Sequence, residues 1–499
     1  MAAPNSINMA EKPAGYRIAG LKPALPAVLI CLTLNLALLA GIGVKRPTYL
    51  TNFHENANPD ANHYVQLGRN VLLLGIYSRQ AEPPYVPDMV RTPVYPLFAG
   101  GLDLLAGPWL IYLSQAFLQA GSCLLLFLII RSLFGERAAF WGSLILASDL
   151  MLVIYNFEAM SEPLFNFLVL ASIACLTPSL VSLIRAAHVW IGSTFLGGVL
   201  LGLAILTRPA GLYLPVVLCA GLLTLGCKSK RFGATLACLL AFLTGVVPLP
   251  ALWIARNAKV CSVPRLATVD AVCSVYFAGG GAYQLRHDIS LIDAHGAIAQ
   301  EYGLPRHEEA MNPWISQRSI AEMDSALRNA SFPVMARYPK ELIISSILGV
   351  MKASFSHNTS VLAELLDLKW LAPGTADLLH LRPEAVARLW ANGSLLDVVF
   401  FWQLFHVSLT LGLALAGIFT SLRCATTRSV TLLLLAVLGY FYLTVAMFGF
   451  EAFYRCRVPV LPFLYVFAAV GMSRLAAMRS RTVFTQTVEH TQTMAGGAG

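Results

Sequence analysis

The sequence predicts an all-α polytopic membrane protein, and three observations carry that class. Long apolar runs recur along most of the chain. Charged residues make up 12% of the composition against 57% hydrophobic, and the mean hydropathy is +0.67. Basic residues gather at alternate turns between the runs. A soluble globular protein carries about 25% charged residues, so most of this surface must face something other than water.

The apolar runs are 21–44, 106–130, 138–155, 163–184, 189–206, 210–226, 232–254, 394–422, 430–450 and 458–472. Each is long enough, or nearly so, for a hydrocarbon core that needs about 20 residues. With short or re-entrant segments counted, the expectation is about 10–12 transmembrane helices. The chain then divides into a tail (1–21), a first span (22–44), a first outer segment (45–103) and spans two to seven (104–254). A second outer segment (255–393), the late spans (394–473) and a second tail (474–499) follow.

Orientation comes from the short loops. Arg131 and Arg137, Arg185, Lys228, Lys230 and Arg231, Arg423 and Arg428, then Arg474, Arg479 and Arg481 fall at alternate turns. The positive-inside rule makes those ends cytoplasmic, together with both termini and the tail bearing Lys12, Arg17 and Lys22. Lys45 and Arg46, outside after the first span, are the local exception. The first span lies behind some twenty residues and is too long for the core of a cleaved signal. The net charge of +9 is therefore topological bias facing membrane lipids, and no nucleic acid is implied. The ten cysteines lie mostly in apolar runs without metal-ligand spacing and read as small hydrophobes. Cys261 and Cys273, both expected outside, are the pair open to a disulfide.

The first outer segment is far longer than a connection between two spans requires. Loops beyond about 12–15 residues are usually functional or disordered, and this one is too rich in aromatics to be disordered. In the second outer segment, 289–302 and 317–335 show helical periodicity with charged faces. The apolar stretch 341–355 is short and polar-flanked, as in an interfacial or re-entrant helix.

Asp60, Arg91, Glu158, Glu162, Arg208, Arg256, Arg455 and Arg457 all sit at or just beyond the outer end of an apolar run. Charges at membrane depth are costly and tend to mark sites. Asp60 follows Pro59 at a helix start, so it is either an N-cap or a carboxylate that deprotonates an acceptor hydroxyl. Glu162, before Pro163, is either a cap or an acid held by the helix's positive end. Glu158 lies in a short connection, where a solvated loop charge is the plainer reading. Asp149 lies inside an apolar run, with no role apparent beyond a polar interior. Each arginine by itself fits an interfacial anchor; several together fit phosphate oxygens, for which the planar guanidinium is suited. Tyr64, Tyr85, Tyr95 and Trp109 are candidates for stacking on sugar faces or for the aromatic belt.

In order along the chain these motifs resemble one family. Asp60-x-x-x-Tyr64 lies in the long first outer segment, Arg91-x-Pro-x-Tyr95-Pro enters the second span, and Ser161-Glu-Pro-Leu-Phe opens the fourth. Leu206-Thr-Arg-Pro follows the fifth, Arg256-Asn257 follows the seventh, and Arg455-x-Arg457-x-Pro-x-Leu-Pro enters the last. The set resembles the GT-C glycosyltransferases, in particular the bacterial branch related to protein mannosyltransferases and lipid A aminoarabinose transferases. The resemblance implies transfer of one sugar, hexosyl or pentosyl, from a polyprenyl-phosphate donor to a glycan, lipid or protein acceptor. The transfer would be inverting and extracytoplasmic, in a bacterial inner (plasma) membrane. It further implies Asp60 as base, Glu162 as the second acid and Arg91 as the holder of the carrier phosphate. Tyr64, Tyr95, Glu158, Arg208, Arg256, Arg455 and Arg457 are the remaining candidates for substrate contact. In some relatives an acidic residue before that basic position helps bind a divalent metal. Here it is Val90, so no residue is assigned to a metal and metal dependence stays open. Two competitors use the same residues: a transporter or flippase of an anionic lipid or solute, and an oligosaccharide ligase with a pyrophosphate carrier.

Overall fold

The computed structural model describes residues 18–55, 58–185, 187–370 and 394–477. The expected tail charges Lys12, Arg17, Arg479 and Arg481 lie outside the described residues. The protein is all-α, 81% helical with no strand among the described residues. Seven helices there are long and apolar enough to cross a membrane: Leu21–Lys45, Pro108–Phe134, Glu162–Ile184, Pro209–Ser229, Phe232–Cys261, Leu395–Arg423 and Arg428–Ala446. Val94–Ala106, Ile191–Thr207 and Leu461–Ala477 are shorter apolar helices.

Glu162–Ile184 is the most enclosed of the seven, packed between Ile191–Thr207 and Pro108–Phe134. Its sequence carries apolar or small residues on all faces, the pattern of a helix buried all round. That burial takes Glu162, in its first turn, out of solvent. Phe232–Cys261 is interrupted at Pro248, where the missing N–H removes one rung of the ladder, and it continues as Pro248–Cys261.

Two elements differ from the sequence reading, and the cysteine pair left open there is unjoined. The run 138–155 is two helices, Glu136–Ala147 and Leu150–Tyr155. Asp149 breaks it by accepting from the backbone N–H of Met151 at 2.9 Å, a local bond that competes with the helix ladder. Its other oxygen accepts from Tyr465, which gives Asp149 a bonding role. The segment 94–103, read as part of a loop, is already helical within Val94–Ala106. Cys261 and Cys273 are both free thiols.

The helix Pro59–Leu74 lies against Val94–Ala106 at the closest backbone approach in this region. A Cβ on Gly68 would meet the carbonyl of Pro96, and one on Gly100 would fall 2.5 Å from the Cα of Gly68. Only glycine fits either position, and that contact fixes the height at which Asp60 is presented.

Candidate active site

Five segments converge at one end of the helices. Pro59 opens its helix at a position where the absent N–H costs nothing, and Asn58 is the cap, its side chain accepting from the N–H of Asp60 at 3.1 Å. Asp60 is therefore not the N-cap, and its carboxylate is free to face inward. Likewise the fourth span starts at Glu162 with Ser161 as cap, one residue earlier than Pro163 suggests, so the Glu162 carboxylate is not spent on capping.

Those two acids are joined through one arginine. Arg455 donates Nη1 to Asp60 Oδ2 at 2.6 Å and Nε to Glu162 Oε1 at 2.6 Å. Beyond Asp60 the row continues to Arg91, and beyond Glu162 to Arg208. The result is an alternating line, Arg91–Asp60–Arg455–Glu162–Arg208, with a guanidinium at each end. Three guanidinium groups face two carboxylates, so the line keeps one positive charge. The Glu162 side chain is 0% exposed and Asp60, the most open of the five, is 23% exposed. Burial acts to raise the Asp60 carboxyl, but Arg91 and Arg455 beside it outweigh that and hold it well below the usual carboxylate range.

Around the line stand neutral donors. Arg208 donates to Ser161 Oγ at 3.2 Å, and Tyr64 Oη lies 3.4 Å from the same oxygen. The Arg91 guanidinium sits 5.2 Å over the Tyr64 ring, and Tyr64 meets Tyr95 edge-on at 4.8 Å. Tyr95 is fully buried and donates to Gln115 Oε1 at 2.8 Å. Gln115 in turn donates to the carbonyl of Asn156 at 2.5 Å, and Asn156 bonds Asn35 and Gln119. This chain of amides pins the 156–161 connection that leads into Glu162. Glu158, read from sequence as a solvated charge, is instead buried and accepts from Tyr454 on both oxygens at 3.1 Å. Burial pushes its carboxyl up to about 8, so it is protonated at neutral pH.

Two expected members lie elsewhere. Arg457 is buried and points to the carbonyls of Ala353 and Ser354, at the C-terminal end of the helix Pro339–Phe355. It satisfies the orphan carbonyls of that helix end. Arg256 lies over the Trp253 ring at 4.9 Å and donates to Asn257 Oδ1 at 2.9 Å, beside the loop carrying Asp88. Tyr85 and Trp109 take no part in the line. Ser161 and Tyr454 stand beside the motif residues but were given no role in the sequence reading, and Gln115 was missed; its signal was a polar side chain inside an otherwise apolar run.

The first loop is held in place by the second outer segment. Arg79 pairs with Asp88, stacks 4.5 Å over Trp314 and donates to the carbonyl of Met311 at 2.7 Å. Asp88 also receives the N–H of Arg91 at 2.8 Å, so the position of Arg91 depends on both outer segments.

The donor set does not fit a divalent cation. The space between the two carboxylates is filled by the Arg455 guanidinium. Among the described residues no three His, Cys, Asp or Glu side chains converge as a metal site.

No protein-family model and no curated protein sequence matches the chain. Solved structures do. The Archaeoglobus fulgidus oligosaccharyltransferase in its apo form superposes with a TM-score of 0.51 at 13% identity, over 95% of this chain and 52% of that one. The chain thus spans about half the length of that protein. ArnT from Cupriavidus metallidurans bound to undecaprenyl phosphate aligns over 91% of this chain and 78% of that one at 16% identity. Its superposition, with a TM-score of 0.35, is too loose to add to this. At such identities the likeness is one of architecture: the protein is an integral membrane protein with the GT-C fold.

Proposed function

We propose that this chain is a membrane glycosyltransferase that moves one sugar from a polyprenyl-phosphate carrier to an acceptor hydroxyl, with inversion. The reaction takes place outside the cytoplasmic leaflet of a bacterial plasma membrane, with both termini inside. The observation that carries the reading is the guanidinium-ended line, in which Arg455 bridges Asp60 and Glu162.

The chemistry follows from charge. A carrier monophosphate is already a stable leaving group, so the protein need only hold the charge that gathers on its oxygen as the sugar departs. Arg91, Arg455 and Arg208 supply donors in a fixed geometry suited to phosphate oxygens. The acceptor oxygen attacks C1 from the face opposite the carrier and the new C1–O bond forms. The bond from C1 to the phosphate oxygen breaks, and the hydroxyl proton passes to Asp60. Glu162 stays ionised and orients Arg455 and Arg208. The exposed apolar helix faces are surfaces on which the carrier's hydrocarbon chain can lie.

The test is turnover. Purified protein in detergent is given a polyprenyl-phosphate sugar and a mixture of glycan, lipid and peptide acceptors. Release of polyprenyl phosphate is followed by mass spectrometry, as is the lipid that co-purifies. Release that depends on acceptor is expected. A protein that binds the carrier and never releases it, whatever the acceptor, would be a transporter.

A further inference from the structure

Flanking the Asp60 helix is a separate cavity of about 300 Å³ that the transfer chemistry above does not use. It is built on one stripe of Pro59–Leu74, where Asn62, Gln66 and Arg69 recur at helical spacing, with His63 on its Asp60 side. Asp103 lines it from Val94–Ala106. That carboxylate is 5% exposed; Oδ2 accepts from Arg69 Nε at 2.5 Å, and Oδ1 has no hydrogen-bond partner. Phe53 forms an apolar wall.

The charge of this cavity differs from that of the guanidinium line. Arg69 is neutralised by Asp103 and Arg79 by Asp88. Burial and the neighbouring arginines push His63 down to about 4, so it too is neutral at physiological pH. What remains is a set of planar amides and an aromatic wall, without net charge. Those groups suit hydroxyls and a C–H face, not a phosphate. The volume is at the lower end of the roughly 300–1,000 Å³ of small-molecule sites, enough for one sugar ring.

We infer that this cavity holds a neutral monosaccharide unit of the acceptor, so that the acceptor is a glycan or glycolipid. The inference rests on the transfer reading. It places donor phosphate and acceptor sugar on two sides of Asp60. Positions 60 and 63 are three apart on the helix, about 5–6 Å between Cβ atoms, so a ring bound against His63 can present a hydroxyl to the Asp60 carboxylate.

Saturation-transfer NMR on the detergent-solubilised full chain tests it, using methyl glycosides of four neutral hexoses and pentoses as probes. At least one glycoside should receive saturation at millimolar concentration, and should keep it when polyprenyl phosphate is added. Gln66→Trp, which fills the cavity from the helix, should weaken binding at least tenfold. Asn52→Trp does the same from the rim without touching the helix, and guards against misfolding of the first variant. Absence of any signal, signals that survive both tryptophan variants, or signals displaced by polyprenyl phosphate would each overturn the inference. Carrier release with no glycoside binding sinks the pocket and leaves transfer standing; glycoside binding with no release on any acceptor leaves a sugar pocket but sinks transfer, and with it the pocket's role as acceptor site.

Discussion

Replacing Arg455 by Gln tests the charge count directly. In the native line three guanidinium groups face two carboxylates. Removing Arg455 leaves two self-contained pairs, Arg91 with Asp60 and Arg208 with Glu162, and no charge in excess. One elementary charge at about 4 Å from a phosphate oxygen contributes about 4 kcal/mol at an effective dielectric of 20. Loss of that term predicts donor affinity weakened on the order of 10³-fold. Stability falls less than for a stranded buried charge, commonly about 3–5 kcal/mol, because each carboxylate keeps one arginine. Arg455→Lys keeps the charge but cannot span both acids with a fixed fork, so it should fall between wild type and Gln. The assay is equilibrium binding of a fluorescent polyprenyl phosphate in detergent, with thermal unfolding of the same samples. If Arg455→Gln binds the carrier within tenfold of wild type while remaining folded, the surplus charge of the line is not what holds the phosphate.

Three further outcomes follow from the same geometry. Asp60→Asn removes the proton acceptor and should lower kcat about 10²–10⁴-fold, measured as carrier release, with carrier binding retained; wild-type turnover would remove Asp60 from the chemistry. Glu158 carries a carboxyl raised to about 8 by burial, so its contribution to stability is complete below the ordinary carboxylate range and lost as pH rises through about 8. Wild-type melting temperature should decline from the ordinary carboxylate range up to about pH 8 and level off above it, and Glu158→Gln should flatten that limb; superimposable profiles would show that another group titrates. Gly68→Ala places a Cβ against the Pro96 carbonyl and should destabilise by about 1–3 kcal/mol through overpacking, with kcat falling as Asp60 is displaced; a variant as stable and active as wild type would show that the two helices yield at that contact.

The class of fold was legible because spanning length and loop charge are one-dimensional signals. Asp60, Arg91, Glu162, Arg208 and Arg455 were all visible as charges at the outer ends of apolar runs. Their order in space was not, since it depends on segments separated by up to 395 positions, as between Asp60 and Arg455. The same rule that selected Arg455 also selected Arg457, two residues on. On a short helical turn such neighbours point in different directions, and Arg457 goes to the end of Pro339–Phe355 instead. Glu158 shows the opposite failure. Nothing in the connection between two spans distinguishes a wet carboxylate from a buried one, and its hydrogen-bond partner Tyr454 lies 296 positions away.

If Asp60 is the base, as proposed, it is a poor one while held between two arginines, and this sets an order of events. While Arg91 and Arg455 hold the carboxylate, its affinity for a proton is depressed by their charge. An arriving phosphate competes for the same N–H groups, and each bond it takes is one that Asp60 loses. Carrier binding therefore raises the proton affinity of Asp60 at the moment the acceptor hydroxyl needs it. Asp60 is also the most open member of the line, at 23% side-chain exposure, so it can turn toward an acceptor without unpacking a helix. Glu162, fully buried and tied to both Arg455 and Arg208, cannot do the same. The two acids are thus divided by environment, one mobile enough to take a proton and one fixed to keep the guanidinium groups aimed. Exchanging them by Asp60→Glu with Glu162→Asp should not restore turnover, even though the total charge is unchanged.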